Sequence, residues 1–368
     1  MISVILVNHN YGAYIGEAIE SVLNQTNQDF ELIIVDGAST DNSREIIMSY
    51  VEKYSNIITA VFKPTSGQAA AFNVGFQLSR GDVIAFLDAD DFFYPNKLER
   101  IEEWHKKYEF IGHARKITTP SGKVLEVFSA QDEYEIRPML LKKYGYVYTY
   151  NLIASCISLK RTLAEKIFPM PEKEYMTFAD CYVKVLAQYY SNIKYIKEPL
   201  SYYRIHNVQK TKSFEDNEKL HKFIINLYHH VFEDINFVLK KEEKPLIPTL
   251  TLENLRTAFA IANPNGMIQI GGNYVIYGTG ADSVIINYMV TLLGGKFIYA
   301  IDSNSEKWGK TWNGITIVSP EEGINKELGY EKIIIGSHYY YKEIKKKLEL
   351  LGLKEWQDFI HFESIPND

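Results

Sequence analysis

Cysteine is scarce: the 368 residues hold only Cys156 and Cys181. Two thiols so far apart exclude a disulfide framework and a cysteine-based zinc site. A reducing, cytoplasmic setting is the economical reading, and a place at the inner face of a membrane stays open. Long apolar runs are missing as well. None approaches the ~18 to 20 residues that cross a bilayer. The chain opens on strand-like Ser3–Val7, without a basic stretch or cleavage site before it. Neither sign of charge dominates, since 40 Lys and Arg stand against 46 Asp and Glu, a net charge of -6. That balance excludes a global attraction to nucleic acid, so phosphate chemistry has to come from a local site. Tandem repeats and low-complexity stretches are lacking too. What is present is ordinary globular composition, 46% hydrophobic and 23% charged, in a chain long enough for two or three domains.

The first hundred residues alternate strand and helix. Ser3–Val7 and Glu31–Asp36 are short apolar runs of the kind buried in parallel sheets. Ile15, Ile19, Val22 and Leu23 lie on one helical face, and Ile46, Ile47, Tyr50, Val51 and Tyr54 on another. Ser39 and Thr40, before the second, are capping types. Ile57–Phe62 and Asp82–Leu87 read as further strands, with Gln68–Ser79 as the helix between them. The βαβαβαβ order predicts an α/β doubly wound sheet with helices on both faces.

Beyond residue 109 the pattern changes. Phe110–Thr118 and Lys123–Phe128 flank the turn signal Thr119-Pro-Ser-Gly122, which predicts a hairpin and hence a mixed sheet. Leu152–Leu159 reads as a strand and Phe178–Tyr190 as a helix. Residues 213–262 read as helical, with a break at Lys244–Pro248. Asn263-Pro-Asn-Gly266 and Gly271-Gly272 mark a domain boundary. Strands at Tyr274–Tyr277, Lys296–Asp302 and Ile333–Gly336 then alternate with helices at Ala281–Leu293 and Tyr340–Leu351. The resulting division is residues 1–210, a helical extension over 211–268, and a small Rossmann-like α/β domain over 269–368.

Val83-Ile-Ala-Phe-Leu-Asp88-Ala-Asp90-Asp91 runs an apolar strand straight into three carboxylates. Ligands of open α/β sheets sit beyond the carboxyl ends of the strands. Asp36 also ends a strand, so Asp36 and Asp88–Asp91 should converge on one crevice. Clustered carboxylates repel unless a cation joins them. Mn²⁺ or Mg²⁺ takes one or two such oxygens together with substrate phosphates, so a metal–diphosphate is the simplest occupant. For an Asp-x-Asp alone, a capped turn is the competing reading.

In its surroundings this segment resembles glycosyltransferase family 2, whose members have the GT-A fold. The resemblance is carried by Ser3-Val-Ile-Leu-Val-Asn-His-Asn-Tyr11, Ala18-Ile-Glu-Ser-Val-Leu-Asn-Gln-Thr26 and Phe30-Glu-Leu-Ile-Ile-Val-Asp-Gly-Ala-Ser-Thr-Asp41. Ser66-Gly-Gln-Ala-Ala-Ala-Phe-Asn-Val-Gly75 and Gly81–Asp91 follow in the family's order. It implies that Val7, Asn8, Asn10, Asp36, Gln68 and Asp88 contact the donor nucleotide. It makes Asp90 the metal ligand, and leaves Asn73 either facing that site or structural. Gly37 stands where many members carry a second Asp, which leaves UDP as the default nucleotide with GDP and dTDP open.

An inverting transfer needs one carboxylate to take the acceptor proton. Glu174–Leu186 resembles the family segment holding that base, which points to Asp180. The competing reading is a helix N-terminal charge. Glu198-Pro-Leu-Ser-Tyr-Tyr-Arg204-Ile-His206 resembles the late family motif, which places Arg204 on the diphosphate and His206 on the metal or in a structural role. Ser155 and Cys156 begin the acceptor pocket, and an apolar strand gives Cys156 no catalytic role.

Gly278-Thr-Gly280, with Asp302 ending the next strand, resembles a dinucleotide fingerprint and offers a second nucleotide site. A structural or dimerising domain is the preferred alternative. Trp308 and Trp312 could stack on sugars, with packing again the better reading.

Taken together, the resemblance implies an inverting, metal-dependent enzyme. It would move a sugar from a nucleotide-sugar to a glycan or lipid-linked glycan, in bacterial surface polysaccharide synthesis. Peripheral membrane association and a homo-oligomer formed through the C-terminal domain are compatible with it. The rivals are a non-catalytic nucleotide-sugar-binding protein and a nucleotidyltransferase. The latter usually needs a Gly-rich, Arg-containing loop where this chain has Asn8–Gly12.

Overall fold

The computed structural model describes residues 1–64, 67–128, 134–136, 138–144, 152–206, 217–248 and 271–361, apart from 280–282, 284, 285, 288, 289, 292, 293, 326–328, 338, 339 and 356. These fall into two compact units.

In the first unit, β1 (Ile2–Asn8) and β2 (Phe30–Asp36) are almost wholly buried. Their Ile, Leu and Val content suits parallel strands covered on both faces. With β3 (Ile58–Phe62) and β4 (Val83–Asp88) they form a parallel array in the order β3-β2-β1-β4. The crossovers are α1 (Ile15–Leu23), α2 (Ser43–Lys53) and α3 (Gln68–Leu78). Val4, Leu6, Leu32, Ile34, Ala85 and Leu87 share one face and pack with Ile15, Ile19 and Val22 of α1 and Ile47 of α2. Ile33 and Val35 point the other way, to Ala71 of α3. Gly75 is needed in α3, because a Cβ there would lie 2.3 Å from Ile5 Cγ2. Each such buried aliphatic side chain contributes about 1.5–3 kcal/mol. Helices therefore cover both faces, as the alternation of elements predicts.

The sheet then becomes mixed. β5 (Phe92–Phe93), α4 (Lys97–His105), β6 (Phe110–Thr118), β7 (Val124–Phe128), β8 (Tyr134–Ile136) and α5 (Pro138–Tyr144) follow in chain order. After them come β9 (Ile157–Lys160), α6 (Arg161–Ala164), α7 (Ala179–Tyr190), β10 (Ile193–Arg204) and α8 (Asn217–Lys241). β9 lies antiparallel between β4 and β6, while β10 runs parallel to β6 and antiparallel to β5. The hairpin of β6 and β7 forms, with Gly122 at φ 79 in its turn. The strand expected over Leu152–Leu159 is shorter, because Ala154–Cys156 make a 3-10 turn before β9. β10 is not foreseen by the sequence pattern. Pro199 sits inside it, and the pairing register shifts on either side of that residue. Proline removes a ladder donor and so obscures a strand's signature. The later turns of α8 pack in this unit, where Asp234 accepts a hydrogen bond from Tyr175 Oη at 2.8 Å. The expected helix break at Lys244–Pro248 holds, as the chain is non-helical there, whereas 249–262 lies outside the described residues.

The second unit is a six-stranded sheet. Its strands are β11 (Asn273–Tyr277), β12 (Lys296–Ile301), β13 (Thr311–Trp312), β14 (Ile315–Val318), β15 (Lys332–Ile335) and β16 (Phe359–His361). Their order is β13-β14-β12-β11-β15-β16, parallel except for β13. Successive residues alternate between two cores, Val275 and Tyr277 on one side and Tyr274 and Ile276 on the other. This is the small Rossmann-like arrangement that the sequence implies. Of the helix expected over Ala281–Leu293, the described residues Ser283, Ile286, Asn287, Val290 and Thr291 are helical. Gly280 and the expected boundary at Asn263–Gly266 lie outside the described residues. Among the described residues no helix is long and apolar enough to cross a membrane.

Candidate active site

Strand register sets the site. Asn8 pairs with Asp36, and Val7 pairs with both Val35 and Asp88, so the ends of β1, β2 and β4 lie side by side. Asp36 is 1% exposed. Its Oδ2 accepts from Asn8 Nδ2 at 2.6 Å and from Ser39 Oγ at 2.7 Å, and its Oδ1 accepts from Ser39 N at 2.8 Å. Asn10 adopts φ 62, a left-handed conformation that Asn tolerates. From there its Oδ1 accepts from Thr40 N at 2.7 Å, while its own N–H donates to Ser39 Oγ at 2.8 Å. Asp36 and Asn10 thus lock the two loops together. Val7 contributes its carbonyl, which accepts from Ala89 N at 3.1 Å and fastens the acidic turn to β1.

That turn carries Asp88, Asp90 and Asp91. Asp88 is partly exposed, and its N–H donates to Ser155 Oγ at 3.1 Å. Asp90 is 9% exposed and meets His206 Nε2 at 2.9 Å. Tyr14 and Tyr11 enclose the His206 ring, with centroids at 4.9 Å and 5.6 Å. Burial, with Asp90 and then Asp88 alongside, pushes the Asp91 carboxyl well above the usual range. The turn therefore crowds like charges, which a cation would relieve. Among the described residues no group of three or more His, Cys, Asp or Glu side chains forms a ready metal cage. The oxygens of Asp88 and Asp90 fit Mg²⁺ or Mn²⁺ completed by substrate phosphates.

Arg204, assigned to a diphosphate from the sequence, is 1% exposed. Its Nε donates to Asp90 O at 2.9 Å, Nη1 to Pro120 O at 2.7 Å, and Nη2 to Glu17. Tyr14 and Phe92 flank its guanidinium, each 4.9 Å away. Five donors in a fixed fork match these protein acceptors. Arg204 thus ties the acidic turn to Pro120 and Glu17.

On the other side, α3 and α7 meet end to end. Gly67 has φ 108, and a Cβ there would lie 2.4 Å from the backbone of Met176. This close approach lets Gln68 N donate to Met176 O at 2.9 Å and Ala69 N to Tyr175 O at 3.1 Å. The Gln68 side chain donates through Nε2 to Asp88 Oδ1 at 3.0 Å and accepts through Oε1 from Ala179 N at 3.0 Å. Asp180, 8% exposed, stands in the first turn of α7. Its Oδ2 pairs with Lys184 Nζ at 2.8 Å. Asn73 is a structural staple, exchanging hydrogen bonds with the Met170 backbone at 2.9 Å and 2.8 Å.

Sequence reasoning missed two buried lysines. Lys184 carried a readable signal, since it lies one helical turn after Asp180. Lys97 carried none. It is 0% exposed and donates to Ser155 O at 2.8 Å and Ser201 Oγ at 3.1 Å, with Phe93 beneath it at 3.5 Å. Burial drives its ammonium down to about 7, against smaller opposing effects of Cys156 and Asp91. Cys156 and Cys181 are buried and form no disulfide, and burial pushes the Cys156 thiol up to about 11, as an inert thiol requires.

In the second unit, Gly278 turns at φ 96 after β11. Asp302 is 7% exposed and its carboxylate is already bonded within the protein. Its Oδ2 accepts from Thr279 Oγ1 at 2.6 Å and Lys307 Nζ at 2.8 Å, and its Oδ1 accepts from Asn304 N at 2.9 Å. Trp308 Nε1 donates to Asp302 O at 2.7 Å, which gives that ring a packing place.

The profile described as "Glycosyl transferase family 2" matches residues 3–168, and "C2185-like, N-terminal" matches 272–357. An uncharacterized glycosyltransferase of Nostoc sp. is 36% identical over 220 residues, covering 58% of this chain and 67% of the relative. A putative teichuronic acid biosynthesis glycosyltransferase, TuaG of Bacillus subtilis, is 37% identical over 100 residues, 27% of this chain and 40% of that one. The crystal structure of residues 1–349 of S. aureus TarS in complex with UDP aligns with TM-score 0.48 and 16% identity, over 73% of this chain and 72% of that one. With the extent of the Nostoc match, the chain belongs to glycosyltransferase family 2.

Proposed function

We propose that the chain is an inverting, metal-dependent glycosyltransferase. It moves a sugar from a nucleoside-diphosphate donor, UDP by default, to a hydroxyl of a glycan or lipid-linked glycan. The observation that carries this reading is the bridge through Gln68, which joins the donor-side carboxylate Asp88 to the helix that presents Asp180. The teichuronic acid relative supports a place in bacterial surface polysaccharide synthesis.

In this account Asp180 takes the proton from the acceptor hydroxyl. The acceptor oxygen bonds to the anomeric carbon from the face opposite the diphosphate, the glycosidic bond to phosphate breaks, and the nucleoside diphosphate departs. Asp88 and Asp90 would hold Mn²⁺ or Mg²⁺ with the donor phosphates, with His206 steadying Asp90. A bound ion would offset the charge developing on the leaving diphosphate. Val7, Asn8, Asn10 and Asp36 shape the pocket for base and ribose, mostly by fixing the loops. For the division of the chain, the proposal is that residues 1–210 catalyse with the later turns of α8 packed in the same unit, that the rest of 211–268 connects, and that 269–368 serve a structural or dimerising role in preference to a second nucleotide site. The test is a donor screen following release of UDP, GDP or dTDP with Mn²⁺ or Mg²⁺. Metal-dependent release from one nucleotide-sugar is the expected result, and release from none overturns the reading.

A further inference from the structure

Lys184 is an unusual neighbour for a base. Its side chain is 2% exposed and lies one turn beyond Asp180 on α7, so both point the same way. Nζ donates to Asp180 Oδ2 at 2.8 Å and also to the carbonyl of Leu152, which lies on a different segment. The ammonium is therefore fixed by the main chain and does not merely follow the carboxylate. Burial is the largest influence and opposes its charge, but the charge and hydrogen bond of Asp180 together with Cys181 more than offset it and hold the ammonium above its ordinary value. Arg115 works against this effect.

We infer that Lys184 is the positioning residue for the base. Its anchored ammonium holds one oxygen of Asp180 and aims the other at the acceptor hydroxyl. The inference rests on the proposed role of Asp180. During transfer the hydroxyl O–H bond breaks and the proton passes to Oδ1 of Asp180. The freed oxygen pair forms the new bond to the anomeric carbon, and the donor's bond to diphosphate breaks. Lys184 itself gains and loses nothing.

Two variants separate orientation from charge. Lys184→Met removes both, whereas Lys184→Gln can still donate to Asp180 and so keeps the fold and much of the aim without the charge. The measurement is steady-state transfer by the full chain, followed as nucleoside diphosphate release, with melting curves alongside. In Lys184→Met, kcat falls about 10- to 100-fold, while the donor KM stays within about twofold of wild type. In Lys184→Gln the donor KM also stays within about twofold of wild type, so that the loss falls on kcat in both variants. Lys184→Gln loses less kcat than Lys184→Met. Wild-type kcat in Lys184→Met, no recovery of kcat in Lys184→Gln relative to Lys184→Met, or a loss confined to melting temperature overturns the inference. Asp180→Asn is the control for the underlying reading. If it transfers sugar at the wild-type rate, the base assignment itself fails, whatever Lys184 does.

Discussion

Gln68 holds Asp88 through a 3.0 Å hydrogen bond, and the same side chain holds the first turn of α7 through Ala179 N, also at 3.0 Å. In the proposed function, one amide thus spans the donor side and the acceptor side of the site. Gln68→Ala should lower kcat/KM about 10- to 100-fold, since small misplacements of reacting groups are costly. The accompanying loss of stability should be only about 1 kcal/mol, the typical net worth of a hydrogen bond. Kinetics and melting curves measured on the same preparation check both numbers. A loss of stability without a loss of rate would remove Gln68 from the account.

Asp91 is held well above the usual carboxyl range by burial and by Asp90 and Asp88. At neutral pH it therefore opposes folding unless a cation is near. Asp91→Asn keeps an oxygen for Arg204 N, which donates to Asp91 Oδ1 at 3.1 Å. The variant should raise Tm by about 2–4 °C without metal, and saturating Mn²⁺ should shrink that gain. A gain that is the same with and without Mn²⁺ would argue against a cation beside this turn.

Lys97 gives a pH signature. Its folded value of about 7 lies below the ordinary 10.5. Between these values the unfolded chain binds a proton that the folded chain does not, so stability rises with pH through that window. The slope is at most about 1.4 kcal/mol per pH unit. Lys97→Met should abolish this contribution, so its stability relative to wild type should be most favourable below pH 7 and decline toward pH 10. Urea unfolding at several pH values measures the difference.

Gly67 allows the docking of α3 on the backbone at Met176. In Gly67→Ala the new Cβ meets backbone at 2.4 Å, and φ 108 is unfavourable for any side chain. The variant should lose about 2 kcal/mol or more and most of its transfer activity, read by urea unfolding and donor turnover.

Much of this was legible because strands buried on both faces write themselves as apolar runs. β1, β2 and β4 appear in the sequence within a residue or two of their ends, and Asp36 and Asp88 close the two strands that flank β1. β10 was hidden by Pro199. The setting of Arg204 was hidden for a related reason: a motif shows that an arginine is present, whereas its acceptors Glu17, Asp90 and Pro120 come from distant parts of the chain. Lys97 was unreadable because its acceptors Ser155 and Ser201 are likewise remote in sequence. Asp302 had the right spacing for ribose, yet spacing does not reveal that Thr279 and Lys307 already occupy its carboxylate.

The central claim is that the ends of the strands grip a cation-bridged pyrophosphate, and calorimetry of nucleoside diphosphate binding tests it most directly. Wild-type protein and Asp90→Ala should each be titrated with and without Mn²⁺, using the nucleotide identified by the donor screen. The account predicts affinity that depends on Mn²⁺ in wild type and loses that dependence in Asp90→Ala. Equal affinity in all four titrations would contradict it.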